Sequence, residues 1–315
     1  MNIQYFESLS KAWNRMTTAL FKPFDISKWF VVGFTAFLAG LTDFHGGNVS
    51  SNKHRTHHDF GDVLDSPAIA RDWLLENPVW FTLIVIGILL LFAFIILITW
   101  LSSRGKFMFL DNVIFNRAQV VKPWHEYKTL GNSLFWWRFV FGLICFVLFI
   151  LFIIQVFIIA TNIYEQNFST AAIVVLIIGM ALLFLLMIII IAFISLFLND
   201  FIVPIMYKNR IKTNQAWNQF LSIFTKHWFH FIAYGLLIFL LHILIIISVI
   251  LFGLFTCCIG ILLLIIPYIG AVITLPISFT LRAFSVDFLE QFGDDFLFFP
   301  KSDEPLIIDP SAESL

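Results

Sequence analysis

Two long stretches of the chain, 83–100 and 171–198, contain no Asp, Glu, Lys or Arg. A helix needs about 20 consecutive apolar residues to cross the hydrocarbon core of a bilayer. Backbone amides inside that core must be satisfied within the protein, and a helix achieves this along its own length. These stretches therefore predict an all-α integral membrane protein.

The composition supports the same fold class and excludes several functions. The chain is 60% hydrophobic and 12% charged, with a mean hydropathy of +0.93, whereas soluble domains carry about 25% charged residues. A net charge of −1 gives no basic footprint for nucleic acid. No pattern indicates a nucleophile, a cofactor or a metal site, so we predict no enzyme activity and no cofactor. The histidine-rich stretch 45–58 is interpreted as a solvated loop, with metal binding as the alternative.

Six stretches are predicted to span the membrane, and the positive charges orient them. Sixteen of the 19 Lys and Arg residues fall on one side of this arrangement and three on the other. Because Lys and Arg are enriched in cytoplasmic loops, both termini are predicted to be cytoplasmic. Residues 1–26 then form a cytoplasmic interfacial helix, 27–292 the six-helix transmembrane domain and 293–315 an acidic cytoplasmic tail. The spans are 27–43, 78–101, 136–160, 170–198, 229–255 and 261–286.

A pattern led by tryptophan occurs three times along the chain. A polar segment with Trp precedes an aromatic pair, two apolar runs follow, and an Asp closes the unit. Because all three units face the same way, they indicate three parallel hairpin repeats about an axis along the membrane normal. The alternative is the general placement of Trp at membrane interfaces. The leading residues are Trp13, Trp124 and Trp217, the pairs begin at Trp29, Trp136 and Trp228, and the closing acids are Asp111, Asp200 and Asp287.

The segment before the first span has the periodicity of an amphipathic helix. Its apolar residues recur every three or four positions. Such a helix lies in the plane of the interface, with its apolar stripe toward the acyl chains and its cations toward the headgroups. The stripe consists of Phe6, Leu9, Trp13, Met16 and Leu20, and a similar one before the fifth span consists of Trp217, Phe220, Leu221 and Phe224.

The closing acids are the first candidates for a site. Asp111, Asp200 and Asp287 lie where apolar helices leave the membrane, although an acid near a helix C-terminus opposes the helix dipole. Arg104 precedes Asp111 by seven residues, and Arg282 precedes Asp287 by five. The structural interpretation is a set of ion pairs that hold the cytoplasmic ends of the hairpins together. The functional alternative is a proton or cation relay.

Four further residues interrupt apolar helices. Pro204, Pro267 and Pro276 predict bends, and a break at Pro267 is of the kind that marks binding sites in transporters. His242 lies within the fifth predicted span. We expect it to hydrogen-bond to a neighbouring helix, with a place on a substrate path as the alternative.

Three motifs carry a resemblance to a known group of proteins. They are LFKPFD at 20–25, SSRGKFMFLD at 102–111, and IPYIG at 266–270 with the segment 282–293. Together they resemble an uncharacterised group of six-helix bacterial membrane proteins, which is similar to the membrane domain fused to some glycerophosphodiester phosphodiesterases. The resemblance covers about 1–293. It implies a bacterial inner membrane, and it implies no activity because the soluble catalytic barrel of the phosphodiesterases has no counterpart in the sequence.

These features favour a non-catalytic membrane module or accessory protein. Membrane lipid is its expected partner and another membrane protein is a candidate partner, while the oligomeric state is left open. The alternative is a transporter or channel for a small or amphipathic solute, with Pro267 and the Arg–Asp pairs at its gate. A transporter requires a cavity between the hairpins, whereas a module is compatible with a packed bundle.

Overall fold

A computed structural model describes residues 3–43, 73, 75–166, 169–256, 260, 263–264 and 266–299. Across these ranges the chain is helical and forms no strand. A π-helical turn (Leu198–Ile202) and a 3-10 turn (Asp294–Phe296) complete the described structure. In chain order the helices are α1 (Tyr5–Phe21), α2 (Ile26–Gly40), α3 (Pro78–Ile114), α4 (Val121–Glu126), α5 (Lys128–Gln166), α6 (Thr170–Phe197), α7 (Val203–Asn209), α8 (Thr213–Phe255), α9 (Pro267–Ile273) and α10 (Leu275–Glu290).

Four helical stretches are long and apolar enough to cross a membrane. They are α3, α5, α6 with its continuation into α7, and α8, while α9 and α10 form a fifth candidate as a bent pair. The all-α, membrane-integral fold class predicted from the sequence is therefore supported. Six spans are not confirmed, because α2 has only 15 residues where a crossing takes about 20.

Helix α3 has two halves with different surroundings. Nearly every side chain from Val79 to Leu97 is exposed, whereas those from Ser102 to Ile114 are buried apart from Arg104. At 1.5 Å per residue the exposed half is about 30 Å long, which matches the hydrocarbon core of a bilayer. We therefore assign the exposed half to lipid and the buried half to a helical core beside the membrane.

The same division recurs in α5, α6 and α8. Their large apolar side chains are exposed over about the length of a bilayer core, and they become buried toward the ends that join the helical core. Helix α8 also bends at His227, whose φ of −132° and ψ of 29° are not helical. After the bend, one face of α8 stays buried as far as Ile238, and it includes Phe231 and Tyr234. The lipid-facing segments are 79–97 of α3, 140–158 of α5, 174–190 of α6 and, apart from that buried face, 229–255 of α8.

Helix α2 packs antiparallel against the buried half of α3. A Cβ at Gly105 would lie 2.6 Å from the backbone N of Ala39 and 2.6 Å from the carbonyl carbon of Leu38, so only glycine allows this approach. Ser102 Oγ donates to the Ala39 carbonyl at 2.9 Å. The structure therefore places the predicted span 27–43 beside the core half of α3 rather than beside its lipid-facing segment.

The predicted interfacial stripes pack largely against protein. Helix α1 buries Ala12, Met16 and Leu20 and lies against α10, while Phe6 and Trp13 are 78% and 58% exposed. Amphipathic periodicity shows that one face is apolar, but it does not distinguish a protein partner from lipid. Interfacial helices are therefore not confirmed, and α1 carries an exposed aromatic edge beside its buried face.

Pro204 shapes a π-helical turn. Proline has no backbone N–H, and the N–H of Val203 bonds to the carbonyl of Leu198, five residues earlier. The carbonyl of Asn199, which would accept from Val203 in an α-helix, instead accepts from Nη1 of Arg282 at 2.7 Å. A bend at Pro204 was predicted, and the structure shows a local change of helix type whose free carbonyl is taken by an arginine.

The last predicted span is interrupted at two places. Pro267 is the first residue of α9, a position that favours proline because its N–H would be unsatisfied there anyway. The bend of 64° separates α9 from α10 at Thr274, just before Pro276 in the first turn of α10. The predicted span 261–286 is therefore interrupted at Pro267, after the extended residue Ile266 (φ −71°, ψ 113°), and bent again beside Pro276, as the two prolines predicted.

Two sequence predictions fall wholly or largely outside the described residues. The histidine-rich stretch 45–58 is one, and the acidic tail beyond Phe299 is the other. Among the residues that the structure describes, no group of three or more His, Cys, Asp and Glu side chains is arranged to hold a metal ion.

Candidate functional site: a buried charge cluster and a basic cleft

A buried ion pair joins the end of α2 to α3. Lys106 is fully buried, and its Nζ lies 2.7 Å from Oδ2 of Asp43. Nη2 of Arg138, on α5, lies 3.9 Å from Oδ1 of the same carboxylate. A buried ammonium group is costly unless it is paired and hydrogen-bonded. Asp43 therefore holds two cations where α2, α3 and α5 meet.

A second ion pair joins the π-helical turn to α10. Oδ1 of Asp200 lies 3.9 Å from Nη1 of Arg282, and Oδ2 accepts a hydrogen bond from the Tyr234 hydroxyl at 3.0 Å. His242 lies near this pair. Its Nδ1 is 2.8 Å from the carbonyl of Ile238 in its own helix, and its ring interacts electrostatically with Asp200. The hydrogen bond of Nδ1 therefore lies within α8, and the expected bond of His242 to a neighbouring helix stays a prediction.

The two ion pairs belong to one group of charges. Lys106 interacts electrostatically with both Arg282 and Asp200. We call Asp43, Lys106, Arg138, Asp200 and Arg282 the junction cluster, because it lies where the lipid-facing segments join the core. Removing one member of a buried ion pair leaves an uncompensated charge. The cluster therefore fixes the positions of α2, α3, α5, the π-helical turn and α10 relative to one another.

Asp111 has its own site at the far end of α3. Its carboxylate is fully buried and accepts from Nε and Nη2 of Arg117 at 2.6–2.9 Å. The hydroxyls of Tyr127 and Tyr207 donate to it at 3.1 and 2.7 Å. Burial raises the pKa of Tyr127 to about 12, so this hydroxyl keeps its proton. The predicted pairing of Asp111 with Arg104 is wrong, because Arg117 reaches back over the helix end.

A cleft of about 360 Å³ opens beside the Asp111 site. Arg210 pairs with Glu126 at 2.5 Å, and its guanidinium carbon lies 4.4 Å from the centroid of the Tyr127 ring. Burial alone would lower the pKa of Arg210, but the hydrogen bond to Glu126 raises it, with a net increase. We call this the basic cleft. Its cations are Arg117, Lys122, Lys208 and Arg210.

Asp287 is held by the first helix. Its Oδ1 lies 3.3 Å from Nη2 of Arg15 on α1, whereas its buried Oδ2 has no hydrogen-bond partner among the described residues. The guanidinium carbon of Arg15 lies 3.5 Å from the centroid of the Phe299 ring. The predicted pairing of Asp287 with Arg282 is therefore wrong, since Arg282 turns to Asp200 and Arg15 takes its place.

Arg104 forms no ion pair among the described residues, and it links α3 to α4 and α5. Its Nη2 donates to Asn132 Oδ1 at 3.1 Å. Its guanidinium carbon lies 4.4 Å from the ring centroid of Trp100 and 4.8 Å from that of Trp124. Cation–π contacts of this kind are strongest with tryptophan. Trp124, the leading Trp of the second unit, therefore helps to hold the Arg104 side chain in place.

The three closing acids do not share one site. Each is held by an arginine, in agreement with the structural interpretation, but the arginines come from other parts of the chain than predicted. Sequence reasoning also missed the residues that build the junction cluster on the α2 side. Their signal was a charged residue inside or at the end of an apolar run: Asp43, Lys106 and Arg138.

A second cleft, of about 440 Å³, lies where α5, α6 and α8 meet. Trp137 and Trp217 stack in its wall with ring centroids 5.4 Å apart. Both this cleft and the basic cleft are open to the surface. Among the described residues, neither His242 nor Pro267 lines either of them.

Comparison with known proteins gives one result. Residues 3–296 match DUF7544, a family of unknown function. No match was found among curated proteins or among solved structures. The expectation of an uncharacterised group is confirmed to that extent. The comparisons show no link to glycerophosphodiester phosphodiesterases, so that part of the resemblance stays a prediction.

Proposed function

Because the chain belongs to this family, whose function is unknown, we propose from its own structure that it is a non-catalytic membrane module. In this proposal the helical core carries the lipid-facing segments, of which those of α5 and α6 touch at Phe152 and Phe184, with ring centroids 5.1 Å apart. These segments bind lipid or a partner membrane protein. The proposal includes a bacterial inner membrane, cytoplasmic termini, an even number of crossings and a duplicated hairpin as the ancestral unit.

The exposure of the lipid-facing segments carries this proposal. The most apolar 18-residue windows of α3, α5 and α6 contain no buried residue, and that of α8 is 11% buried. The core beside them is closely packed, with Phe201, Phe220, Phe231 and Phe284 fully buried. Membrane helices of a self-contained bundle bury small and polar residues against one another. These segments instead offer nearly their whole circumference to lipid or to another protein.

The distribution of charge supports the orientation. Lys and Arg concentrate at the core end of the lipid-facing segments, and positively charged residues favour the cytoplasmic side. Trp136 and Trp228, 63% and 55% exposed, lie near the core ends of their segments, where Trp is enriched at membrane interfaces. On this basis the helical core lies at the cytoplasmic face.

Site-specific photo-crosslinking in the native membrane tests the proposal. A photoreactive residue in place of Ile88 on α3 or Leu182 on α6, both 60% exposed, should form crosslinks to lipid or to one partner protein. The matched control is Phe284, which is fully buried in the core and should crosslink only within the chain. Crosslinks that join the segments of α3 and α6 to each other would contradict the proposal, because they would indicate a closed bundle.

The junction cluster supports a second candidate function, a channel or transporter. Buried charges at the boundary of the membrane often mark ion or substrate pathways, and π-helical turns occur frequently at functional sites. Reconstitution of the chain into a planar bilayer distinguishes the two candidates. A conductance above that of the empty bilayer, abolished by Asp200→Asn, would replace the module proposal. The module proposal expects no such conductance.

A further inference from the structure

The basic cleft carries more positive charge than its own acids neutralise. Lys122 and Lys208 form no ion pair among the described residues. The Nζ of Lys208 donates to the carbonyl of Leu297 and lies 5.9 Å from the centroid of the Phe298 ring. The carboxylates in and beside the cleft, Asp111 and Glu126, are already engaged by Arg117 and Arg210. Four cations and two carboxylates leave an excess of two positive charges.

The two arginines retain unused hydrogen-bond donors. Arg117 uses Nε and Nη2 to hold Asp111, and Arg210 uses Nη2 to hold Glu126 and Tyr127. Within the described part of the chain, Nη1 of each arginine makes no hydrogen bond. A guanidinium group with fixed orientation and spare N–H groups matches the oxygens of a phosphate group.

Left-handed residues end the helices on both sides of the cleft. Among the described residues, the non-glycine residues with positive φ are Asn116 (φ 51°) and Arg210 (φ 53°). Asn116 lies between the cleft residues Phe115 and Arg117, and Arg210 is itself in the cleft wall. A left-handed residue is common just after the last turn of a helix, and Asn116 and Arg210 follow α3 and α7 in this way. These helix ends place Arg117 and Arg210 in the wall of one cleft.

The distance of the cleft from the membrane interface indicates whether a lipid headgroup or a soluble molecule could supply the phosphate. Phe115 follows Trp100 by 15 residues of continuous helix, which corresponds to about 23 Å. The headgroup layer on one side of a bilayer is only about 6 Å thick. With Trp100 at the interface, the cleft lies beyond the headgroups of the adjacent leaflet. We propose that the basic cleft binds a soluble, phosphate-bearing anion, which Lys122 and Lys208 neutralise and Arg117 and Arg210 hydrogen-bond.

Calorimetric titration of the full chain with pyrophosphate tests this inference. The chain is held in nanodiscs of zwitterionic lipid at low salt. We expect wild-type protein to bind pyrophosphate and Lys122→Gln/Lys208→Gln to bind it about tenfold more weakly, because two charge-assisted contacts are lost. The matched control is Lys22→Gln/Lys226→Gln, which removes the same charge from two exposed lysines outside the cleft and should bind like wild type.

Three results would overturn the inference. The first is the absence of pyrophosphate binding by wild type at millimolar concentration, and the second is equal binding by both double variants. The third comes from nanodiscs that contain phosphatidylglycerol. A soluble-anion site keeps its pyrophosphate affinity there, whereas a site for lipid headgroups loses it to the lipid. Thermal unfolding of both variants at the wild-type temperature establishes that a loss of affinity does not reflect loss of the fold.

Discussion

Lys106 and Asp43 form an ion pair across the contact between α2 and α3, with 2.7 Å between Nζ and Oδ2, although the lysine side chain is almost wholly buried. Asp43 is 37% exposed, and Arg138 lies on the other side of its carboxylate. The pair is therefore asymmetric. The acid serves two cations and retains access to solvent, whereas the lysine depends on the acid alone for a carboxylate contact.

This asymmetry predicts different effects for the two partners. Asp43→Asn should lower the free energy of unfolding by about 3 kcal/mol, because it leaves Lys106 buried without its carboxylate. Lys106→Met should change it by about 1 kcal/mol or less, since an apolar chain of similar length fills the same space and Arg138 still pairs with Asp43. Unfolding in mixed micelles measures both values. A larger loss in Lys106→Met than in Asp43→Asn would contradict the assignment.

The Asp111 site predicts a contrast between two acids only 15 positions apart. Asp111→Asn should lower the free energy of unfolding by about 2–4 kcal/mol, because Arg117 loses its bidentate partner in a buried site. Glu126→Gln should cost about 0–1 kcal/mol, since its partner Arg210 is 51% exposed. Chemical denaturation followed by tryptophan fluorescence measures the two changes. Equal losses of unfolding free energy in the two variants would show that the buried Asp111 carboxylate contributes no more to stability than the exposed Glu126 pair.

The close approach of α2 and α3 makes a prediction about Gly105. Gly105→Ala should lower the free energy of unfolding by about 1–3 kcal/mol, because its Cβ would overlap the backbone of Leu38 and Ala39. Gly142→Ala is the matched control, since a Cβ there meets nothing within 4 Å. Alanine is also the better helix former, by about 1 kcal/mol. Thermal melts that show destabilisation of both variants alike would argue against the contact.

Pro204 and Arg282 are predicted to be coupled through the Asn199 carbonyl. Arg282→Gln removes the donor to that carbonyl and the partner of Asp200. In a Pro204→Ala background the new N–H of residue 204 can serve a freed carbonyl of the turn. We therefore expect Arg282→Gln to be less destabilising in that background, with a coupling energy of about 1 kcal/mol. A double-mutant cycle measured by urea unfolding gives this value, and strict additivity would contradict the coupling.

The fold class was predictable because hydrophobicity is local in the sequence. The apolar runs of α3, α5, α6 and α8 are long enough to be recognised without knowledge of their neighbours. The span predicted at 27–43 could not be judged in the same way. Its 15-residue helix is apolar on two faces. One face packs against protein, and the other carries exposed aromatic residues such as Phe30. An apolar helix in a core and one in lipid have similar sequences.

The ion pairs were only partly predictable, because sequence spacing identifies partners within one helix and not between helices. Asp111, Asp200 and Asp287 are engaged by arginines as expected. Spacing on a helix suggested Arg104 and Arg282 as partners, but the packing of distant elements supplied others. Arg15 is 272 residues from Asp287 and still reaches it.

Helix α3 runs without a break from Pro78 to Ile114, whereas α8 has a joint at His227. The buried half of α3 is held by the Gly105 contact with α2 and by the junction cluster, so an adjustment of α3 to bilayer thickness occurs on the membrane side of Gly105. A tilt of about 10° that begins there moves the membrane end of α3 by about 7 Å. A change in membrane thickness is therefore expected to displace the lipid-facing segment and to leave the Asp111 site in place.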